Sequence, residues 1–100
     1  MKKHSDTHFE IIFERRQGGR YYIHSPDVRG LHLAGPRLED LSKIVETAIK
    51  DLLWHNADIV VDRLRWVPSL DKIAEQLARK TSMDKLSEKK IAVLNIQKAA

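Results

Sequence analysis

Cysteine is absent from the sequence, and its absence excludes a disulfide framework, a thiolate metal site and a cysteine nucleophile. No apolar run approaches the roughly 18 residues that a membrane-spanning helix needs. The N-terminal stretch "MKKHSDTHFE" also lacks the apolar segment of a signal peptide. The sequence therefore predicts a cytoplasmic protein with no membrane partner.

Glycine and proline are few, and none of the four glycines stands in the order of a phosphate-binding loop, GxGxxG or GxxxxGK[ST]. The five histidines form no HExxH motif and no i, i+4 pair within a predicted helix. His24 and His32 are spaced to face each other on adjacent strands, which is typical of sheet-surface histidines and, less often, of a two-histidine metal site. No nucleophile can be identified beside a base. The sequence therefore predicts a protein that is not an enzyme and that uses no metal or cofactor.

What the sequence does contain is the composition of an ordinary folded domain. Hydrophobic residues make up 42% and charged residues 32% of the 100 positions, unlike a disordered chain. A chain of this length can build one core but no deep, walled active site of its own, so we expect it to form oligomers. The net charge of +4 comes from 18 bases and 14 acids. Because the two signs are interspersed, the pattern favours solvated faces over a nucleic-acid patch.

Alternation and turn residues predict three strands in the first third of the chain. Apolar residues at every second position predict a strand over residues 8–16 with one buried face. Gly18 and Gly19 accept a positive φ, so we expect residues 20–24 to return as the second strand of a hairpin. A short third strand is predicted over residues 31–34.

The middle of the chain predicts a long helix and a fourth strand. Apolar residues at 3.6-residue spacing over residues 37–55 predict an amphipathic helix, with Pro36 at its start and Asn56 as a left-handed stop. Residues 59–66 are rich in β-branched side chains and predict a strand. Because a long crossover helix precedes this strand, we expect it to lie beside the first strand and parallel to it.

The last third of the chain is predicted to be helical. Apolar spacing from Leu70 onwards predicts a second amphipathic helix. Residues 83–100 combine "DKLSEKK", typical of a helix, with "IAVLNI", typical of a strand, and we expect a helix. The predicted fold class is therefore α+β: a two-layer β-β-β-α-β domain over residues 1–68, with a helical C-terminal extension over residues 69–100 that is not expected to be a separate domain.

The stretch "YYIHSPDVRGLHLAGPRLEDL", followed by "AIKDLL" and "LRWVPS", resembles the core motif of the HicB-like antitoxin superfamily. The resemblance covers about residues 8 to 66. It implies a partial ribonuclease-H-like fold without the catalytic carboxylates of that fold. It also implies a place in a bacterial toxin-antitoxin system, in which such domains bind and mask a small toxin ribonuclease of the double-stranded-RNA-binding type. Members usually append a DNA-binding ribbon-helix-helix or helix-turn-helix domain, and this sequence departs from the family in showing neither.

The motif and the apolar residues near its end supply the candidate site residues. We interpret the polar, proline and glycine positions of the motif as turn architecture rather than an active site: Ser25, Pro26, Asp27, Gly30, Gly35 and Pro36. A two-layer domain leaves one face of its sheet uncovered, so we expect a homo-oligomer, either a dimer or a tetramer. Its contacts are predicted at four apolar positions: Trp54, Trp66, Val67 and Leu70.

Two functions of different classes follow from these observations. The first is an antitoxin-type protein that neutralises a small ribonuclease toxin by stoichiometric binding. The alternative is a small regulator that binds nucleic acid through basic C-terminal helices. The residues available for phosphate contacts in that alternative are Arg79, Lys80, Lys85, Lys89 and Lys90.

Overall fold

The chain folds as one antiparallel sheet with two helices on one of its faces. The structure, a computed structural model, describes residues 6–16, 18–79 and 88–98. Its elements are β1 (Asp6–Arg15), β2 (Tyr21–His24), β3 (His32–Gly35), α1 (Leu38–Ala57), β4 (Val61–Val67), α2 (Leu70–Arg79) and β5 (Glu88–Lys98). The α+β class predicted from the sequence is thereby confirmed.

The first hairpin is confirmed as predicted. β1 and β2 pair antiparallel with Phe13 opposite Ile23, and β3 pairs antiparallel with the other edge of β2. In the turn, the N–H of Gly19 donates to the carbonyl oxygen of Arg16 at 2.9 Å. Gly19 has a φ of +82°, a conformation that favours glycine. The alternation of apolar residues also identified the buried face, since Phe13 and Ile23 are both fully buried.

The C-terminal segment corrects the sequence prediction. The sequence predicts a helix over residues 83–100, but residues 88–98 form the strand β5, and the remainder of that range lies outside the described residues. The physical reason is the two-residue period of "IAVLNI", in which Ala92, Leu94 and Ile96 are buried and point to one face. β5 pairs antiparallel with β1 along all ten residues of β1. The predicted helical extension is therefore wrong here, because β5 is an inner strand of the sheet.

The fourth strand also has a different neighbour from the one predicted. β4 pairs antiparallel with β5 at the edge of the sheet, whose strand order is β3-β2-β1-β5-β4. A parallel pairing with β1 is wrong because β5 occupies that edge of β1. The register of β4 shifts between Val61 and Arg63. Such an irregularity bends an edge strand and disfavours pairing with a further chain.

The long helix lies where the sequence predicts it, with small changes at its ends. Arg37 is the extended residue that precedes α1, so Pro36 lies outside the first helical turn. The left-handed stop is Asp58, with a φ of 56°, and not Asn56. Asn56 instead donates from Nδ2 to the carbonyl oxygen of Arg29 at 3.0 Å, which fastens the end of α1 to the loop before β3. The second helix is confirmed as α2.

Both helices pack on the same face of the sheet and form one core with it. The fully buried side chains of this core are Ile11, Phe13, Ile23, Val28, Leu31, Val45, Ile49, Ile73, Leu77, Ala92, Leu94 and Ile96. The Trp66 ring meets Phe13 edge-on at a centroid distance of 5.7 Å. Trp66 Nε1 also donates to Glu46 Oε2 on α1 at 2.8 Å. Trp66 thus connects the edge strand β4 to both the sheet centre and the helical layer.

The order of elements extends beyond the predicted one. The β-β-β-α-β order is present, but α2 and β5 follow it, and a specific ribonuclease-H-like arrangement is not confirmed. The residues after Pro68 share a sheet and a core with those before it, because β5 separates β1 from β4 and α2 covers the same face as α1. Neither helix in the described ranges has the length and apolar character needed to cross a membrane.

Candidate functional site

The turn over residues 25–31, which carries the Ser-Pro-Asp motif, is fastened to β1 by two side chains. The β1–β2 ladder ends before it reaches Glu10. Asp27 Oδ2 accepts the N–H of Glu10 at 2.7 Å, and Ser25 Oγ donates to the carbonyl oxygen of Glu10 at 2.6 Å. The two side chains therefore satisfy the backbone groups of Glu10 as a neighbouring strand would.

The same turn is held from its other side by the core and by α1. Ser25 Oγ accepts the N–H of Val28 at 3.0 Å, and both Val28 and Leu31 are 1% exposed. Gly30 has a φ of +88°, and a Cβ added to it would lie 3.2 Å from Cδ2 of Leu52 on α1. The motif residues thus position a rigid turn between β1 and α1.

A groove of about 640 Å³ lies between the start of α1 and the start of α2. Its apolar lining is Tyr21, Pro36, Leu38, Leu70 and Ala74, and its polar lining is Arg37, Glu39, Ser42, Lys43 and Asp71. Gly35 is buried at the end of β3, and a Cβ added to it would lie 3.4 Å from Cδ2 of Leu41. The end of the motif therefore places Pro36 in a concave, largely apolar surface with polar groups beside it. Binding sites commonly have this composition.

Charged residues of both signs are exposed on the described part of the two helices that border this groove. The acids are Glu39, Asp40, Asp51, Asp71 and Glu75, and the bases are Lys43, Lys50 and Lys72. Arg37, just before α1, lies 3.4 Å from Glu39, and both side chains are well exposed. The groove lining itself carries two acids, Glu39 and Asp71, and two bases, Arg37 and Lys43.

The opposite face of the sheet is covered by no helix within the described residues. We call it the outer face, and its side chains alternate along each strand with those of the core. Its residues are His8, Glu10, Ile12, Glu14, Tyr22, His24, His32, Ala34, Arg63, Arg65, Val67, Lys89, Ile91, Val93, Asn95 and Gln97. This face is where cross-strand neighbours form the remaining clusters.

One cluster on the outer face surrounds the buried carboxylate of Glu14, which is 8% exposed. Arg16 Nε donates to Glu14 Oε1 at 2.9 Å, while Lys89 Nζ and His24 Nε2 lie 3.9 and 3.7 Å from Glu14 Oε2. Burial acts most strongly on this carboxyl and raises its pKa. The hydrogen bond and charge of Arg16, with contributions from His24 and Lys89, outweigh burial and hold the pKa of Glu14 below its ordinary value.

The two histidines predicted to face each other do so. His24 pairs with His32 across β2 and β3, beside a depression of about 310 Å³ that Arg16 and Tyr22 also line. The Arg16 guanidinium lies over the Tyr22 ring at 4.1 Å, so this ring has a cation on its face. In the described part of the chain, no three His, Asp or Glu side chains gather as metal ligands. The cluster therefore presents an ion pair and a stacked ring.

The sequence reasoning missed the charged residues of the outer face. Arg63 and Arg65 are exposed on β4, and Glu10 is exposed on β1. Because these residues alternate with core residues along their strands, the sequence could have predicted that they lie on the outer face. Their mutual arrangement depends on β5, which lies between them and which the sequence analysis predicted to be helical.

The residues predicted to contact nucleic acid do not form a helical surface over the described part of the chain. Arg79 ends α2, while Lys80 and Lys85 lie outside the described residues. Lys89 and Lys90 lie on β5 and point to opposite faces, as neighbours on a strand do. The predicted basic helix is therefore corrected over residues 88–98.

The four residues predicted as oligomer contacts lie in four different places. Trp54 is 51% exposed near the end of α1, whereas Trp66 is partly buried against Phe13. Leu70 lines the groove, and Val67 is 46% exposed on the outer face. The structure does not bring the four together into one surface.

Comparison of the chain with models of protein families, with curated proteins and with solved structures finds no match. The HicB-like resemblance of the motif therefore stays a prediction.

Proposed function

We propose that the chain is a HicB-like, antitoxin-type binding protein that neutralises a small, basic ribonuclease by stoichiometric masking. The observation that carries the proposal is the groove between α1 and α2, which joins an apolar lining to the charged side chains of Glu39, Asp71, Arg37 and Lys43. The motif resemblance described above supports the same function. The proposal assigns the chain no catalytic step.

The groove has the features that a masking interface requires. Tight protein interfaces bury an apolar centre within a polar rim, and a few central residues supply most of the affinity. Leu70 and Ala74 offer the apolar centre, and Glu39 and Asp71 offer charges that attract a cationic partner. An enzyme that binds RNA carries basic residues at its substrate site, so the carboxylates of Glu39 and Asp71 can pair with that site in place of RNA.

The motif has a structural part in this function. The hydrogen bonds of Ser25 and Asp27 to Glu10 fix the turn that leads into β3, and β3 leads through Gly35 to Pro36 at the groove. The motif would therefore act by shaping the groove. A regulator that binds nucleic acid through basic C-terminal helices loses its structural basis over residues 88–98, because these residues form β5.

Co-expression tests the proposal directly. The full chain is co-expressed with the products of the reading frames on either side of its own, and RNA cleavage by any small, basic product among them is measured with increasing amounts of the chain. We expect cleavage to stop at a fixed stoichiometric ratio and Glu39→Lys to weaken binding about tenfold, because a cation replaces an anion at the groove.

The matched control is Asp51→Lys, which makes a similar charge change on α1 outside the groove lining. Both variants should keep the melting temperature of the wild type within a few degrees, since both positions are exposed. Undiminished cleavage with a molar excess of the wild-type chain would contradict the proposed function.

A further inference from the structure

A depression of about 400 Å³ lies on the outer face between β4 and the last part of β5. Its lining consists of three successive cross-strand pairs: Arg63 with Gln97, Leu64 with Ile96, and Arg65 with Asn95. Because side chains alternate along a strand, those of Leu64 and Ile96 point to the core, and the backbone of this pair forms the floor. Four polar side chains therefore surround one concave surface, and two of them are guanidinium groups.

The two guanidinium groups have no acidic partner among the described residues. Neither Arg63 nor Arg65 forms an ion pair or a side-chain hydrogen bond there, although both are exposed on one face of β4, about 7 Å apart. On the same side of the sheet, Arg16 and Lys89 instead lie beside the carboxylate of Glu14. Like charges placed side by side repel each other, so an unpaired pair of arginines indicates a site that an anion completes.

The carboxamides of β5 add hydrogen-bond donors to the same depression. Oδ1 of Asn95 is buried, so Nδ2 is the atom of this carboxamide that reaches the surface. Gln97 is exposed, and its carboxamide can turn to donate a hydrogen bond as well. None of the described residues that line the depression is acidic. The depression therefore offers donors from both strands to an anion.

We propose that this depression binds the phosphate group of a small phosphorylated molecule, with Arg63 and Arg65 as its two cationic ligands. A phosphate monoester carries about 1.5 to 2 negative charges near neutral pH, which matches the two guanidinium groups. Its three terminal oxygens can accept hydrogen bonds from two arginines and a carboxamide together, whereas a carboxylate is satisfied by one arginine fork. A volume of about 400 Å³ also leaves room for the group that bears the phosphate.

A nucleic-acid strand fits this part of the outer face less well than a single phosphate does. Backbone binding uses cations repeated along a groove, and single strands also stack their bases on aromatic rings. Beyond Arg65 the outer face continues with the apolar pair of Val67 and Val93, and the exposed Glu10 lies opposite Val93 on β1. Tyr22 is separated from β4 by β1 and β5 and already has a guanidinium over its ring. The two unpaired arginines therefore suit one phosphate group.

Titration of the isotope-labelled full chain with inorganic phosphate, followed by NMR, tests the proposal. The sodium chloride concentration is held at about 0.15 M, so that general screening of charge stays constant. We expect the amide signals of residues 63–65 and 95–97 to shift and to saturate, with a dissociation constant of about 1 mM. Adenosine monophosphate should shift the same signals, and adenosine, which has no phosphate, should leave them unchanged.

Arg63→Gln and Arg65→Gln are the test variants, and Arg29→Gln in the motif turn is the matched control. All three positions are exposed and form no ion pair among the described residues, so each variant should melt within a few degrees of the wild type. Each test variant should weaken phosphate binding about tenfold, and the control by less than about twofold. Arg65→Lys keeps the charge but loses the planar fork, and it should weaken binding about threefold.

Three results would overturn the proposal. Shifts that grow without saturation, or an equal loss of binding in Arg29→Gln, would show only a general attraction of anions. Unchanged phosphate binding in both test variants would leave the arginines the role of charges that protect an edge strand from pairing with other chains. Binding to oligothymidine, or to vesicles that contain phosphatidic acid, that is tighter than binding to adenosine monophosphate and is lost in both test variants would assign the arginines to a nucleic acid or a membrane instead.

Discussion

Gly30 lies where the motif turn faces Leu52 of α1, and its backbone has a positive φ. Gly30→Ala should lower the free energy of unfolding by about 2 kcal/mol, from the left-handed backbone together with the 3.2 Å approach to Leu52. Gly19 is the matched control, because it has a similar φ of +82° but nothing within 4 Å of an added Cβ. Gly19→Ala should lower the free energy of unfolding by about half as much as Gly30→Ala. Equal losses in the two variants, measured by urea denaturation, would show that the contact with α1 is unimportant.

Glu14 should make the stability of the fold depend on pH in the acid range. Its pKa is lower in the folded chain than the ordinary glutamate value, chiefly through Arg16 acting against burial. Its contribution to stability is therefore complete above the unfolded pKa and is lost as the pH falls through the lower folded pKa. We expect Glu14→Gln to be less stable than the wild type at pH 7 and the difference to shrink on acidification.

Melting temperatures between pH 7 and the acid limit of folding provide this measurement. Glu75→Gln, at an exposed position on α2, is the control and should follow the wild-type curve. A constant gap between Glu14→Gln and the wild type at all pH values would exclude the ion pairs of Glu14 as its origin.

At the scale of residues, the parts of the site that depend on the local chemistry of single side chains could be predicted. Pro26 and Gly30 mark a turn because one lacks a donor and the other tolerates a positive φ. The cross-strand pairing of His24 and His32 followed from turn spacing. The ion pairs of Glu14 could not be predicted, because Lys89 reaches it only through the β1–β5 register.

At the scale of elements, β5 is the strand that joins β4 to the rest of the sheet. It separates β1 from β4, and its Ala92, Leu94 and Ile96 are buried in the core. We expect a chain truncated after Arg79 to lose its cooperative unfolding transition, because one edge of β1 and all of β4 would lose their partners. Circular dichroism during thermal denaturation provides the measurement. A truncated chain with the wild-type melting curve would contradict the inner position of β5.

The helices and the first hairpin could be predicted because each carries a local period over enough residues. α1 has a long apolar stripe, and β1 alternates cleanly. The sequence predicted a helix in place of β5 because apolar residues occupy both faces of this strand. Ile91 and Val93 lie on one side, and Leu94 and Ile96 lie on the other. Such a run fits a buried helix and a strand equally well, and only the partner strands decide between them.

At the scale of the whole molecule, the sheet separates two surfaces of different character. The groove is lined by Glu39 and Asp71 together with Arg37 and Lys43, while the edge strand β4 exposes Arg63 and Arg65 on the opposite face. The groove and the outer face therefore lie on opposite sides of one layer of sheet.

The long pairing of β1 with β5 also determines the order in which the molecule can be assembled. β1 is made first and β5 last of the described strands, yet they are neighbours over the full length of β1. During synthesis the hairpin and α1 can form early, but one edge of β1 stays open until β5 leaves the ribosome. Contacts so distant in sequence slow folding, and an open edge in the waiting intermediate invites pairing with other nascent chains.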